Sequence, residues 1–185
     1  MVKSLRSNVK YLRNNLVPGI KTPPKFRLKF VLLPVVAFAA VSFVIGGLSG
    51  LFVFRIIKWQ AGLLVLPLTM FVFPAFLEEA FFRGVLIPRD AAGRSGFSIA
   101  GLILLSAAAF TLWHPFNAYF FNPSAQHFFL NTWFLIIVFF LGITCGLAYV
   151  YSRSLWTPVL IHWVTILVWV FLLGGHNLVA GALNT

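Results

Sequence analysis

Apolar positions along the chain form one narrow stripe followed by five long runs. Val2, Leu5, Val9, Leu12 and Leu16 recur at alternating steps of three and four, with Lys3, Arg6, Lys10 and Arg13 off the stripe. That spacing predicts an amphipathic helix lying in a membrane interface. Its basic region is too long for a cleaved signal, and Pro23-Pro24 separates it from the first run. The first run covers 31–54, carries Gly46 and Gly50 at a spacing that lets helices approach closely, and ends at Arg55 and Lys58. A second, 61–88, contains Pro74, Glu78 and Glu79, and the polar stretch 89–95, with Asp90, Gly93 and Arg94, connects it to a third.

The third run, 97–114, is expected to stop at Pro115. Residues 116–131 hold no Lys, Arg, Asp or Glu but are aromatic, with Asn117, Asn122, Pro123 and His127 interspersed, and read as an interfacial or partly re-entrant loop. The fourth run, 132–151, has Gly142 and Gly146 at GxxxG spacing and closes at Ser152-Arg153-Ser154. Thr157-Pro158 gives the fifth run a capping residue followed by a proline at the first helical position, and this run ends at Gly174-Gly175.

These runs predict an all-α, polytopic membrane bundle of about five to six transmembrane helices, at roughly 20 residues per crossing. Residues 1–30 form a basic surface segment, 31–175 a single membrane domain with a core at 61–173, and 176–185 a short uncharged tail. Composition agrees: 61% of residues are hydrophobic and 9% charged, and mean hydropathy is +0.97, which leaves no room for a sizeable soluble domain. Cys145 is the sole cysteine and reads as a packed thiol, which excludes an intrachain disulfide.

The net charge of +11 changes the picture only at one end, since eight of fourteen Lys and Arg fall in the first thirty residues. With just Tyr11, Phe26 and Phe30 there to stack bases, the segment fits anionic lipid and not nucleic acid. Basic residues also place the N-terminus, the 89–94 connection and Arg153 on one side, assigned to the cytoplasm. Arg55 and Lys58 run against that rule. A multi-pass protein of the plasma (inner) membrane is expected.

Candidate chemistry concentrates in Glu78-Glu79-Ala80-Phe81-Phe82-Arg83-Gly84, which holds two of the chain's three carboxylates inside an apolar run. On a helix Glu79 and Arg83 stack one turn apart, while Glu78 points about 100° away. Arg83 can therefore neutralise Glu79 and leave Glu78 as the poised acid that general-base catalysis needs. A purely structural ion cluster is the alternative, although it has no need of a second, unpaired glutamate. His114 and His162 lie in other apolar runs, and Phe110, one turn before His114, can fix its imidazole. Glu78, His114 and His162 could also ligate zinc, but the H-E-x-x-H pattern is absent and no metal cofactor is expected. A transporter fits less well, since no second half mirrors the first.

Taken in order, Glu78-Glu79-x-x-x-Arg83-Gly84, Phe110-x-x-x-His114, Gly142-x-x-x-Gly146 and Ser154-Leu155-Trp156-Thr157-Pro158-Val159-Leu160-Ile161-His162 resemble the CAAX prenyl protease and bacteriocin-processing family of intramembrane proteases, also called Abi proteins. The resemblance covers roughly 74–166 and implies a helical membrane core and a glutamic-type peptidase acting on a membrane-associated peptide or protein. Carried over, Glu78 with His114 would activate water, His162 would stabilise the oxyanion, and Glu79 and Arg83 would hold the catalytic helix. Ile166 stands where the family commonly has Asn or Asp, and loss of one such donor costs on the order of a hundredfold to a thousandfold in rate. Thr165, His176 and Asn177 are the candidate substitutes, and a catalytically impaired membrane scaffold or chaperone is the competing function. On straight helices His114 would sit ~10 Å deeper than Glu78, a gap that a bend at Pro74 or a late start of the third helix would close.

Overall fold

The computed structural model describes residues 2–54 and 61–175. Seven helices carry the regular structure there: α1 (Val2–Lys21), α2 (Leu28–Leu48), α3 (66–85), α4 (Gly96–Phe120), α5 (Gln126–Phe129), α6 (Thr132–Ser152) and α7 (Trp156–Leu172). This is the all-α membrane bundle that the apolar runs predict. Arg55, Lys58, His176 and Asn177 lie outside the described residues.

By length and apolarity α2, α4 and α6 can each cross a bilayer, while α7, at 17 residues, is shorter. The remaining pass, α3, is broken at Phe73, whose backbone is extended (φ −136°, ψ 115°), as crowding by a following proline favours. Successive passes alternate between two ends. At one end Leu155 N–H donates to Gly19 O (3.0 Å) and Arg89 to Arg153 O (2.6 Å). At the other, Val53 N–H donates to Leu173 O at 3.3 Å. The N-terminal segment, the 89–94 connection and Arg153 therefore share an end, as their charge pattern predicts.

The centre of the bundle is α6, which packs on α2, α4 and α7. A Cβ on Gly142 would lie 3.0 Å from Ala107 Cα, and one on Gly146 would lie 2.9 Å from Ile103 Cγ2. The two glycines thus let α4 and α6 approach closely. Gly46 and Gly50 behave otherwise: α2 ends at Leu48, Gly50 turns with φ +72°, and Phe52 folds back over Gly46. That pair builds a turn and not a helix contact.

Two expected boundaries move. Rather than stopping at Pro115, α4 continues to Phe120. Passing a proline forfeits one hydrogen bond, whereas unwinding at membrane depth would strand several backbone groups. The stretch read as a loop is consequently the end of α4, a turn at Pro123–Ala125, and α5, after which Asn131 caps α6 by accepting from Trp133 N (2.9 Å) and Phe134 N (3.2 Å). Thr157 does not cap α7. Ser154 Oγ accepts from Trp156 N at 3.2 Å, and Thr157 Oγ1 accepts from Lys25 N at 3.1 Å.

These bonds also join α1 to the bundle. Leu16 fills the space that a side chain on Gly84 would need, Tyr11 donates to Val85 O (3.1 Å), and Trp156 Nε1 donates to Ile20 O (2.6 Å). The helix thereby braces both α3, just past Arg83, and the start of α7.

Candidate active site

An acid on α3 meets an indole on α4. Trp113 Nε1–H donates to Glu78 Oε1 at 3.0 Å, and one layer away Ser106 Oγ–H donates to Phe82 O at 2.7 Å. From that shared layer Glu78 lies four residues along α3, about 6 Å, and Trp113 seven along α4, about 10 Å. Side chains lean toward the N-terminus of their own helix, so on antiparallel helices these two lean toward each other and close the offset. Neither expected explanation of the depth gap holds: α4 starts promptly at Gly96, and the break at Phe73 lies on the far side of Glu78.

Both oxygens of Glu79 are engaged. Arg83 Nε lies 3.1 Å from Oε2, and His162 Nδ1 lies 3.0 Å from Oε1. The guanidinium also donates from Nη2 to Gly142 O (3.1 Å) and sits 4.5 Å over the Phe110 ring. The close approach at Gly142 thus brings a backbone acceptor to a fully buried arginine. An ionised carboxylate only accepts, so the His162 proton facing Glu79 resides on Nδ1 and Nε2 is turned to Glu78. The distance from Nε2 to Glu78 Oε2 is 4.0 Å, too long for a direct hydrogen bond.

His114 is oriented by its own helix, with Nδ1 2.9 Å from Phe110 O. Because a carbonyl can only accept, Nδ1 carries the hydrogen and Nε2 keeps its lone pair. The Phe110 ring lies edge-on to both imidazoles, with centroids 5.0 Å from His114 and 5.4 Å from His162. It is the common support of the two histidines and Arg83.

Glu78, His114 and His162 line one cavity of about 930 Å³. Most of the rest of its wall is apolar, including Val35 and Phe38 of α2, Leu141 of α6 and Leu160 of α7. Phe43, Phe73 and Val164, on three different helices, also line the cavity and are exposed. Glu79 and Arg83 stand behind the wall. Thr165 and Ile166 both line the cavity, but the Thr165 hydroxyl donates to Ile161 O of its own helix at 2.8 Å. Among the described residues, no three His, Cys, Asp or Glu side chains converge to hold a metal ion.

Sequence reasoning missed Trp113 and Asn117. The signal for Trp113 was its place beside His114, since a buried indole N–H needs an acceptor and three acids are all the chain has. Asn117, one turn beyond His114 and also on the cavity wall, was hidden by ending the helix at Pro115.

Comparison with known proteins gives one family match: a model described as type II CAAX prenyl endopeptidase Rce1-like covers residues 59–168. No curated protein and no solved structure matches. The matched segment is more than half of the chain and holds Glu78, Glu79, Arg83, Phe110, Trp113, His114 and His162. The chain belongs to the type II CAAX prenyl endopeptidase Rce1-like family, and so among CAAX-type endopeptidases of the membrane.

Proposed function

We propose that the protein is a glutamate-dependent intramembrane endopeptidase for apolar or membrane-associated peptides. The observation that carries this reading is Glu78: a nearly buried carboxylate with one oxygen fixed by Trp113 and the other directed at His162, on the wall of an apolar cavity. A water held between Glu78 and the His114 lone pair gives a proton to Glu78 as its oxygen attacks the scissile carbonyl carbon. The carbonyl π electrons move to oxygen, and His162 Nε2 stabilises the oxyanion when it carries a proton, supported from behind by Glu79. As the oxyanion collapses, the C–N bond breaks and the Glu78 proton passes to the leaving amine. No metal takes part in this scheme.

The substrate side follows from the wall. Apolar side chains from α2, α6 and α7 favour an uncharged segment, which would enter from the bilayer past the exposed Phe43, Phe73 and Val164. Exposed Lys10, Arg13, Lys21, Lys25, Arg27 and Lys29 at the α1 end fit the anionic cytoplasmic leaflet of the plasma membrane, at about 1 kcal/mol per basic residue. Ile166 and the committed Thr165 hydroxyl support a second reading, an impaired family member that holds partners without cutting them.

Purified protein in lipid nanodiscs tests the proposal with two quenched fluorescent peptides, one ending in a farnesylated Cys-aliphatic-aliphatic-X sequence and one unprenylated and apolar. Wild type should cleave at least one, and Glu78→Gln should lower the rate by roughly a thousandfold. Cleavage of neither by wild type favours the second reading.

A further inference from the structure

Five polar side chains in the cavity wall are nearly completely buried: Ser42, Glu78, His114, Asn117 and His162. Three have partners already, Glu78 with Trp113, His114 with Phe110 O and His162 with Glu79. Two do not. Ser42 Oγ, on α2, is fully enclosed and makes no hydrogen bond. Asn117, on α4, is 9% exposed. Its backbone carbonyl accepts from Phe121 N (2.9 Å) and Asn122 N (2.8 Å), but its carboxamide has no partner among the described residues.

An unpartnered polar side chain in an apolar wall is unfavourable unless something in the cavity satisfies it. An extended peptide entering such a space has the complementary need, because each backbone N–H and C=O loses its water. A carboxamide presents a donor and an acceptor side by side, so it can pair with the N–H and C=O of one backbone unit together. Asn117 and His114, three residues apart on α4, share the cavity face, and backbone held by Asn117 therefore lies next to the site of attack.

We propose that Asn117 is a positioning residue that pairs with the backbone amide of an extended peptide beside the scissile bond. Affinity for apolar substrates would then rest on backbone pairing at this point as well as on side-chain burial. The inference rests on the peptidase reading for its substrate, and it is tested without cleavage.

The probes are an N-acetylated, C-amidated apolar pentapeptide and a set of analogues, each with one backbone amide N-methylated. Binding is measured to Glu78→Gln protein in nanodiscs, with Asn117 intact or replaced by Leu or Asp, and thermal unfolding is recorded for each. With Asn117 intact, methylation at one position should weaken binding roughly fivefold to tenfold. Asn117→Leu should weaken the unmethylated peptide by a similar factor and abolish the penalty at that same position. The proposal is overturned if the parent fails to bind the peptide, if no single methylation is costly, or if the penalty persists in Asn117→Leu. Loss of cleavage by wild type with this binding pattern intact would count against the peptidase reading alone.

Discussion

Trp113 holds Glu78. Its indole N–H donates to Oε1 at 3.0 Å and leaves Oε2 facing His162 Nε2 at 4.0 Å. Trp113→Phe keeps most of the ring packing and removes the donor. A hydrogen bond to a charged group contributes about 1.5–3 kcal/mol, so kcat should fall roughly tenfold to a hundredfold with KM little changed. Steady-state kinetics beside a thermal unfolding curve check this: a lower Tm with unchanged kcat would make Trp113 structural only.

The Glu79–Arg83 pair is expected to behave as a buried ion pair. Removing one partner strands the other charge, so Arg83→Met should destabilise by about 3–5 kcal/mol. Adding Glu79→Leu should recover much of that stability. Activity should not return with it, because His162 would lose the carboxylate that orients Nδ1. Denaturant unfolding of the single and double variants, paired with cleavage assays, separates the two effects.

Gly142 links packing to the site, since its carbonyl accepts from Arg83 Nη2 at 3.1 Å and an added Cβ would press on Ala107. Gly142→Ala should therefore cost about 1–3 kcal/mol in stability through overpacking. Cleavage should suffer more than stability does, as a shift of α6 from α4 also pulls that acceptor from the guanidinium. Gly47→Ala, in open space within α2, is the control and should lower neither.

Exhaustive treatment with a chelator should leave cleavage intact, and metal analysis of active protein should find no stoichiometric zinc. Activity lost to chelator and restored by zinc would replace the water-activation scheme with a metal-assisted one.

Helical periodicity made the division between Glu78 and Glu79 legible, because residues four apart share a face whatever the tertiary fold. Residue type inside apolar runs likewise picked out His114 and His162. What stayed hidden depended on the facing helix. Glu78 and Trp113 meet because side chains on antiparallel helices lean in opposite directions, which no single run reveals. Asn117 was lost to a local rule, that proline ends a helix, which the cost of unwinding in lipid overrides. Leu16 of the α1 stripe packs over Gly84, a contact that hydrophobicity alone does not distinguish from one made with lipid. GxxxG spacing proved equally double-edged, marking a helix contact at Gly142 and Gly146 and a turn at Gly46 and Gly50.

The central claim, that Glu78 is the base of a peptidase, is tested most directly in cells that normally make the protein. Membrane and secreted peptides from wild type, Glu78→Gln and a deletion strain would be compared by mass spectrometry, with protein levels matched. The account predicts that Glu78→Gln and the deletion accumulate the same uncleaved precursor. A deletion phenotype that Glu78→Gln fully rescues would contradict it and leave the protein a scaffold.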